Sequence, residues 1–260
     1  MRDHDLDRMK AWFTGFCSSH ALSDAEEQQN LDMKEEHTLN VCRNMRDITD
    51  SLRLSPEDAL IAEAVALFHD AGRFPQFVKY RTFRDDQSEN HALLGVNVLE
   101  ESRVLEKLPI EEQALITTAV RFHNAFALPD FPDARQILLL KLIRDADKLD
   151  ILRVFIDAYE GKSNPSAIGL GLPETAGYSP EALRCIAERK IFTLKQLRSL
   201  NDFRLLQLSW VFDLSFTESI RMMLSRDYPG RIAAHLPKTD EIRAAVDGIV
   251  RYMKERIAVG

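Results

Sequence analysis

The run Ala64-Val-Ala-Leu-Phe-His69-Asp70-Ala-Gly72-Arg73 joins an apolar stretch directly to a histidine, an aspartate and a glycine. An apolar run of this kind reads as a buried helix, in which adjacent side chains point about 100° apart. His69 and Asp70 can therefore serve one point together best where the helix ends, and Gly72 permits that ending. An imidazole and a carboxylate delivered there are two metal ligands in waiting. Alone, such a pair is as readily a cap or a hydrogen-bonded core group. The other histidines decide.

Leu6, Met9, Trp12, Phe13 and Phe16 recur at helical spacing, and Ser23-Asp24 with Glu26-Glu27 opens a second helix that runs to about Ser51. Along it Met33, His37, Val41, Asn44 and Ile48 share one face, so His37 lies in the inward stripe. Ser55-Pro56 starts the helix that delivers His69 and Asp70. From Ala71 to Gln87 the periodicity dissolves and the reading is a loop. It carries Phe74, Phe77, Tyr80 and Phe83 among Arg73, Lys79, Arg81 and Arg84, a locally basic segment suited to an anionic substrate. Ser88 reads as the cap of a helix with His91, Leu94 and Val98 on one side. Pro109 opens another helix, which closes in Phe122-His123-Asn124.

A helix is expected from about Asp133 to Tyr159. Asp147 shares a face with Leu140, Ile143, Ile151 and Val154, and Asp145 shares the opposite face with Leu138, Leu142, Leu149 and Leu152, so periodicity does not choose between the two aspartates. Residues 161–179 are rich in turn formers and read as a boundary or a lid. Helical patterns return over 194–200, 203–225 and 240–257, with Trp210, Phe212, Phe216, Met222 and Met223 as core fillers. No strand pattern and no repeat interrupts them, and the fold reads as all-α. Two parts are expected: a helical core over 1–160 and a helical extension over 161–260, whose residues 180–260 would cover the core or form a homodimer surface.

The net charge of −7 speaks against a nucleic-acid polymer or an anionic membrane as partner, and no apolar run approaches the roughly 18 residues of a span. The acidic N-terminus is unlike a secretory signal, so a cytoplasmic protein is expected. Cys17, Cys42 and Cys185 form no paired motif and read as reduced thiols packed among apolar groups.

His37, His69, His91 and His123 thus come at the inward face or the end of consecutive predicted helices, while His4, His20 and His235 read as surface or cap residues. With Asp70 and one of Asp145 and Asp147 they make a set of six polar groups carried into apolar surroundings, where each needs a partner. A metal centre is the economical explanation. His and Asp ligands without thiolate point to iron, manganese, zinc, nickel or cobalt, and six ligands suffice for two ions sharing Asp70.

His37, then His69-Asp70, then Asp147 within Asp-Ala-Asp-Lys-Leu-Asp, resembles the H, HD, D signature of the HD superfamily of metal-dependent phosphohydrolases, over about residues 30–155. The resemblance implies an HD-type helical bundle and favours Asp147 over Asp145 as the last ligand. His91 and His123 match the two extra histidines of the dinuclear branch, found among cyclic-nucleotide and cyclic-dinucleotide phosphodiesterases. Where those relatives commonly carry a phosphate-holding lysine after the glycine, this chain has Arg73, whose guanidinium can bind phosphate through two parallel hydrogen bonds. The Gly-Tyr-Pro motif of one cyclic-dinucleotide subgroup does not follow His123.

By that resemblance a first divalent transition-metal ion, iron or manganese ahead of zinc, nickel or cobalt, would sit on His37, His69, Asp70 and Asp147. A second would sit on His91 and His123, with Asp70 bridging. A water between the ions would attack a small phosphorylated substrate such as a nucleotide, with Arg73 and Lys148 countering phosphate charge. Two rivals use the same residues: an HD-type di-iron oxygenase acting on a polyol or organophosphonate, and a nucleotide-binding module without turnover.

Overall fold

A computed structural model of the chain describes residues 1–127, 129–162 and 171–259. The described residues form helices joined by short turns, with no strand among them, and the fold is all-α. No helix among them is long and apolar enough to cross a membrane. They fall into two units, one formed by residues 1–150 and the other by residues 151–162 with 171–259.

In the first unit, α1 (Asp3–Ser19) buries Leu6, Met9, Phe13 and Cys17. Helix α2 (Ala25–Ser51) starts where the Asp24 carboxylate accepts from the Glu26 and Glu27 amides, and it buries Leu31, His37, Val41, Met45 and Ile48. Helix α3 (Pro56–Phe68) is buried throughout from Ile61 to Phe68 and packs against α1, α2 and α6 (Ile110–Phe122). A helix apolar on all sides has to be central. Its one ionic residue in that stretch, Glu63, is met by Lys10 at 2.7 Å and Arg46 at 2.6 Å.

The segment after α3 differs from the expected loop. Arg73–Tyr80 is a helix, α4, because Phe74, Gln76 and Phe77 bury one side and Pro75 sits in the first turn, where a missing N–H costs nothing. It stops at Arg81, whose φ of 54° is left-handed. Asp85–Gln87 then makes a single 3-10 turn. Helix α5 (His91–Ser102) is capped by Asn90, which accepts from the Ala92 and Leu93 amides, and not by Ser88, whose hydroxyl donates to the Arg84 carbonyl. Helix α7 (Ala134–Tyr159) passes the aspartates 145, 147 and 150 and is tied to α2 by Asn44 Nδ2 on the Ala146 carbonyl, 3.0 Å.

The second unit is organised on α12 (Asp240–Val259), against which α8 (Pro180–Ala187), α9 (Leu200–Ser209), α10 (Thr217–Ser225) and α11 (Tyr228–Ala234) pack. The expected helices over 194–200 and 203–225 are shorter and broken. Residues 194–196 and 210–213 are 3-10 turns, the latter dividing α9 from α10. Met222 and Met223 are buried, whereas Trp210, Phe212 and Phe216 are half-buried. The turn-rich 161–179 stretch falls partly outside the described residues.

Gly72 has an ordinary φ of −65°, so its backbone freedom is not what the fold needs. A Cβ there would stand 2.1 Å from the His91 carbonyl oxygen and 2.4 Å from the Gly95 nitrogen. The start of α5 lies directly on the turn after α3, which brings His91 beside Asp70. Gly95 is less constrained, since its Cβ would meet Val120 Cγ1 at 3.3 Å. Gly72→Ala is expected to destabilise the protein by about 3 kcal/mol and Gly95→Ala by less, because backbone cannot yield as a side-chain tip can; urea denaturation of the two variants checks the order.

Candidate metal centre

His69 and His123 occupy the same local position, the residue that ends a helix. The last turn of a helix leaves carbonyls without partners, and an imidazole there can take one. His69 Nδ1 lies 2.7 Å from the Ala66 carbonyl oxygen and His123 Nδ1 2.7 Å from that of Val120. Both acceptors lie three residues back, so in both rings Nδ1 carries the proton and Nε2 presents a lone pair. His37 and His91 have their Nδ1 atoms tied by carboxylates instead. His37 Nδ1 is 2.8 Å from Asp150 Oδ2, and His91 Nδ1 is 2.7 Å from Asp85 Oδ2.

The four Nε2 atoms meet in two pairs, His37 with His69 at 3.4 Å and His91 with His123 at 3.0 Å. Two neutral imidazoles so arranged turn lone pair toward lone pair, which is repulsive unless a proton or cation lies between. Ligand atoms about 2.1 Å from one ion stand about 3.0–3.4 Å apart for angles between octahedral and tetrahedral, so both spacings suit a shared cation.

Asp70 joins the pairs. Its Oδ2 lies 3.6 Å from His37 Nε2 and 3.8 Å from His69 Nε2, and its Oδ1 lies 3.5 Å from His91 Nε2 and 3.9 Å from His123 Nε2. Each oxygen faces one pair, the arrangement a bridging carboxylate needs. His37, His69 and Asp70 form one group able to hold a metal ion, and Asp70, His91 and His123 form another. Asp147 Oδ1 adds to the first at 3.1 Å from His37 Nε2 and 3.6 Å from His69 Nε2. Asp145 is fully buried. The structure thus brings together His37, His69, Asp70, His91, His123 and Asp147, while His4 is exposed and His20 and His235 end helices.

Charges follow from these neighbours. Burial works to raise the Asp70 carboxyl, but Lys34, His69, Arg73 and His91 outweigh it and hold it well below the usual carboxylate range. Asp147 is held down against burial by His37 and His69. Burial lowers His91, and burial with the neighbouring His91 and His69 lowers His123 to about 3, so both rings are neutral near pH 7. For His37 burial and Lys34 act downward, yet the Asp147 and Asp150 carboxylates prevail and raise it to about 9.

Three neighbours escaped the sequence reading. Lys34, one turn before His37 on the same face of α2, sets its buried ammonium 2.7 Å from Asp70 Oδ2; a lysine in an inward stripe was the available signal. Asp150 lies one turn beyond Asp147 on α7, within the motif already singled out. Asp85 carried no signal, since its contact with His91 depends on the path of the chain after α4. Arg73 is mostly buried. Its Nη1 donates to the Phe83 carbonyl, Gln76 Oε1 and Asp85 Oδ1 at 2.6, 2.9 and 2.9 Å. Lys148 follows Asp147 on α7 and is half-buried.

Comparison with known proteins returned no match among curated proteins or solved structures. Residues 35–152 match the family model of the HD domain, a span that contains all six clustered residues. Residues 35–152 thus form an HD domain, and the clustered histidines and aspartates all belong to it.

Proposed function

We propose that the protein is a phosphohydrolase that works with two divalent metal ions and cleaves a small phosphate ester, a phosphodiester or nucleotide. The observation that carries this reading is the division of Asp70, with one oxygen toward His37, His69 and Asp147 and the other toward His91 and His123. A donor set of neutral imidazoles and carboxylates without thiolate fits iron or manganese, and also zinc. Divalent ions in such a pair of pockets lower the pKa of water and neutralise phosphate oxygens.

The chain's own groups prepare that chemistry. Asp150 and Asp85 with the Ala66 and Val120 carbonyls keep every imidazole turned inward, so reorganisation on binding is small. Lys34 places a positive charge beside Asp70, where the phosphate's charge would be met. Lys148, adjacent to Asp147, would add charge from α7.

Protein purified without a metal-affinity tag and loaded anaerobically with Fe(II) or Mn(II) is expected to hold about two equivalents, and His91→Ala about one. Hydrolysis of bis(p-nitrophenyl) phosphate and a nucleotide panel should fall about 100-fold or more in His91→Ala and in Asp147→Ala, since an ion contributes several kcal/mol to such a transition state. Turnover of polyols with oxygen uptake, and none of phosphate esters, would replace hydrolysis with oxygenation.

Metal binding should also release a proton. His37 is protonated below about 9 in the metal-free chain, so an ion at its Nε2 displaces that proton at pH 7. Affinity at that pocket is expected to rise about tenfold per pH unit on approach to pH 9 and to level off above it. Calorimetry in buffers of different ionisation enthalpy checks this: a binding heat independent of the buffer contradicts it.

A further inference from the structure

His91 differs from the other clustered histidines in where it sits on its helix. It is the first residue of α5, and a helix start offers free N–H groups, not free carbonyls. The contact that orients His69 and His123, Nδ1 on a carbonyl three residues back in the same helix, does not exist there. An imidazole at that position needs an acceptor from elsewhere in the chain.

Asp85 is that acceptor. Its two oxygens lie 3.0 and 2.7 Å from His91 Nδ1. The carboxylate is itself held by Arg73 Nη1 and Gln76 Nε2, both at 2.9 Å, and by Asn124 Nδ2 at 3.4 Å. Gln76 Nε2 also meets Ser88 Oγ and the Glu89 carbonyl at 2.8 Å, and Arg73 meets the Phe83 carbonyl, so α4 grips the chain on both sides of Asp85. The Arg73 Nε is buried without a hydrogen bond and lies 3.5 Å from Asp70 Oδ1. The guanidinium therefore faces the carboxylates of the site.

We infer that Asp85 is the positioning residue of the second pocket: clamped by Arg73 and Gln76, it holds the Nδ1 proton of His91 and keeps the Nε2 lone pair turned toward His123 and Asp70. Arg73 thereby serves the site through Asp85. The occupant of the pocket rests on the two-metal reading; the orientation of the imidazole does not.

Long-range proton–nitrogen NMR of metal-free protein, with His91 assigned by His91→Gln, reads the tautomer directly. The native protein is expected to show His91 as the Nδ1–H form, Asp85→Ala a mixture with the Nε2–H form, and Asp85→Asn, which keeps an acceptor oxygen, mainly the native form. In a Mn(II) titration of the same proteins, Asp85→Ala should bind the second equivalent about 10–100-fold more weakly. The first equivalent should be unchanged, which also reports that the variant is folded, and Asp85→Asn should recover most of the loss. Unchanged His91 tautomer in Asp85→Ala, or unchanged affinity for the second ion, overturns the inference. A native protein that takes up no second Mn(II) while the tautomer shifts as expected overturns the two-metal reading and leaves Asp85 as the residue that orients His91.

Discussion

Every clustered imidazole in this protein has one nitrogen committed to an acceptor, and the rest of the site follows from that commitment. With Nδ1 tied to a carbonyl or a carboxylate, the only exposed function of each ring is a lone pair. Four such lone pairs converge in two pairs around one aspartate. Convergent acceptors repel one another, so the arrangement calls for positive charge among them, and the Lys34 ammonium, 2.7 Å from Asp70 Oδ2, supplies part of it. A structural core histidine has no need of such company, since one good hydrogen bond satisfies it.

The close approach of the turn after α3 to the first turn of α5 converts two helix ends into one centre. With no side chain at Gly72, the His91 carbonyl comes within a distance that any other residue would forbid. Asp70 and His91 thereby become neighbours although 21 positions separate them. Asp70 then stands between a pair built from α2 and α3 and a pair built from α5 and α6, and each oxygen takes one side. Buried charge of this density would be costly in an apolar core. Here it is balanced by Lys34 and Arg73 as well as by the imidazoles.

Much of the site was legible in order along the chain because its parts sit at helix ends and on helix faces. The Phe-His junctions at 69 and 123 mark the residue that ends an apolar helix, and His37 falls in the inward stripe of α2. Asp147 and Asp145 could not be separated by periodicity, because both faces of α7 are apolar; in the structure Asp147 meets His37 and His69. Helix α4 was not legible because only part of one short turn pattern is apolar, and its burial depends on what packs above it. The broken helices of the second unit were missed for a related reason: a near-continuous apolar sequence over 203–225 does not announce the 3-10 turn at 210–213.

Taken by itself, the sequence determined the all-α class, the helix starts at Asp24, Ser55 and Pro109, and the residues at which imidazoles and carboxylates enter the interior, since these depend on local pattern and capping. Only the tertiary structure decided which oxygen of Asp70 faces which histidine pair, that Lys34 lies against Asp70, and that Asp85, clamped by Arg73, orients His91. Those are contacts between segments distant in the chain, set by how helix ends pack against one another, and neither periodicity nor local propensity carries information about them.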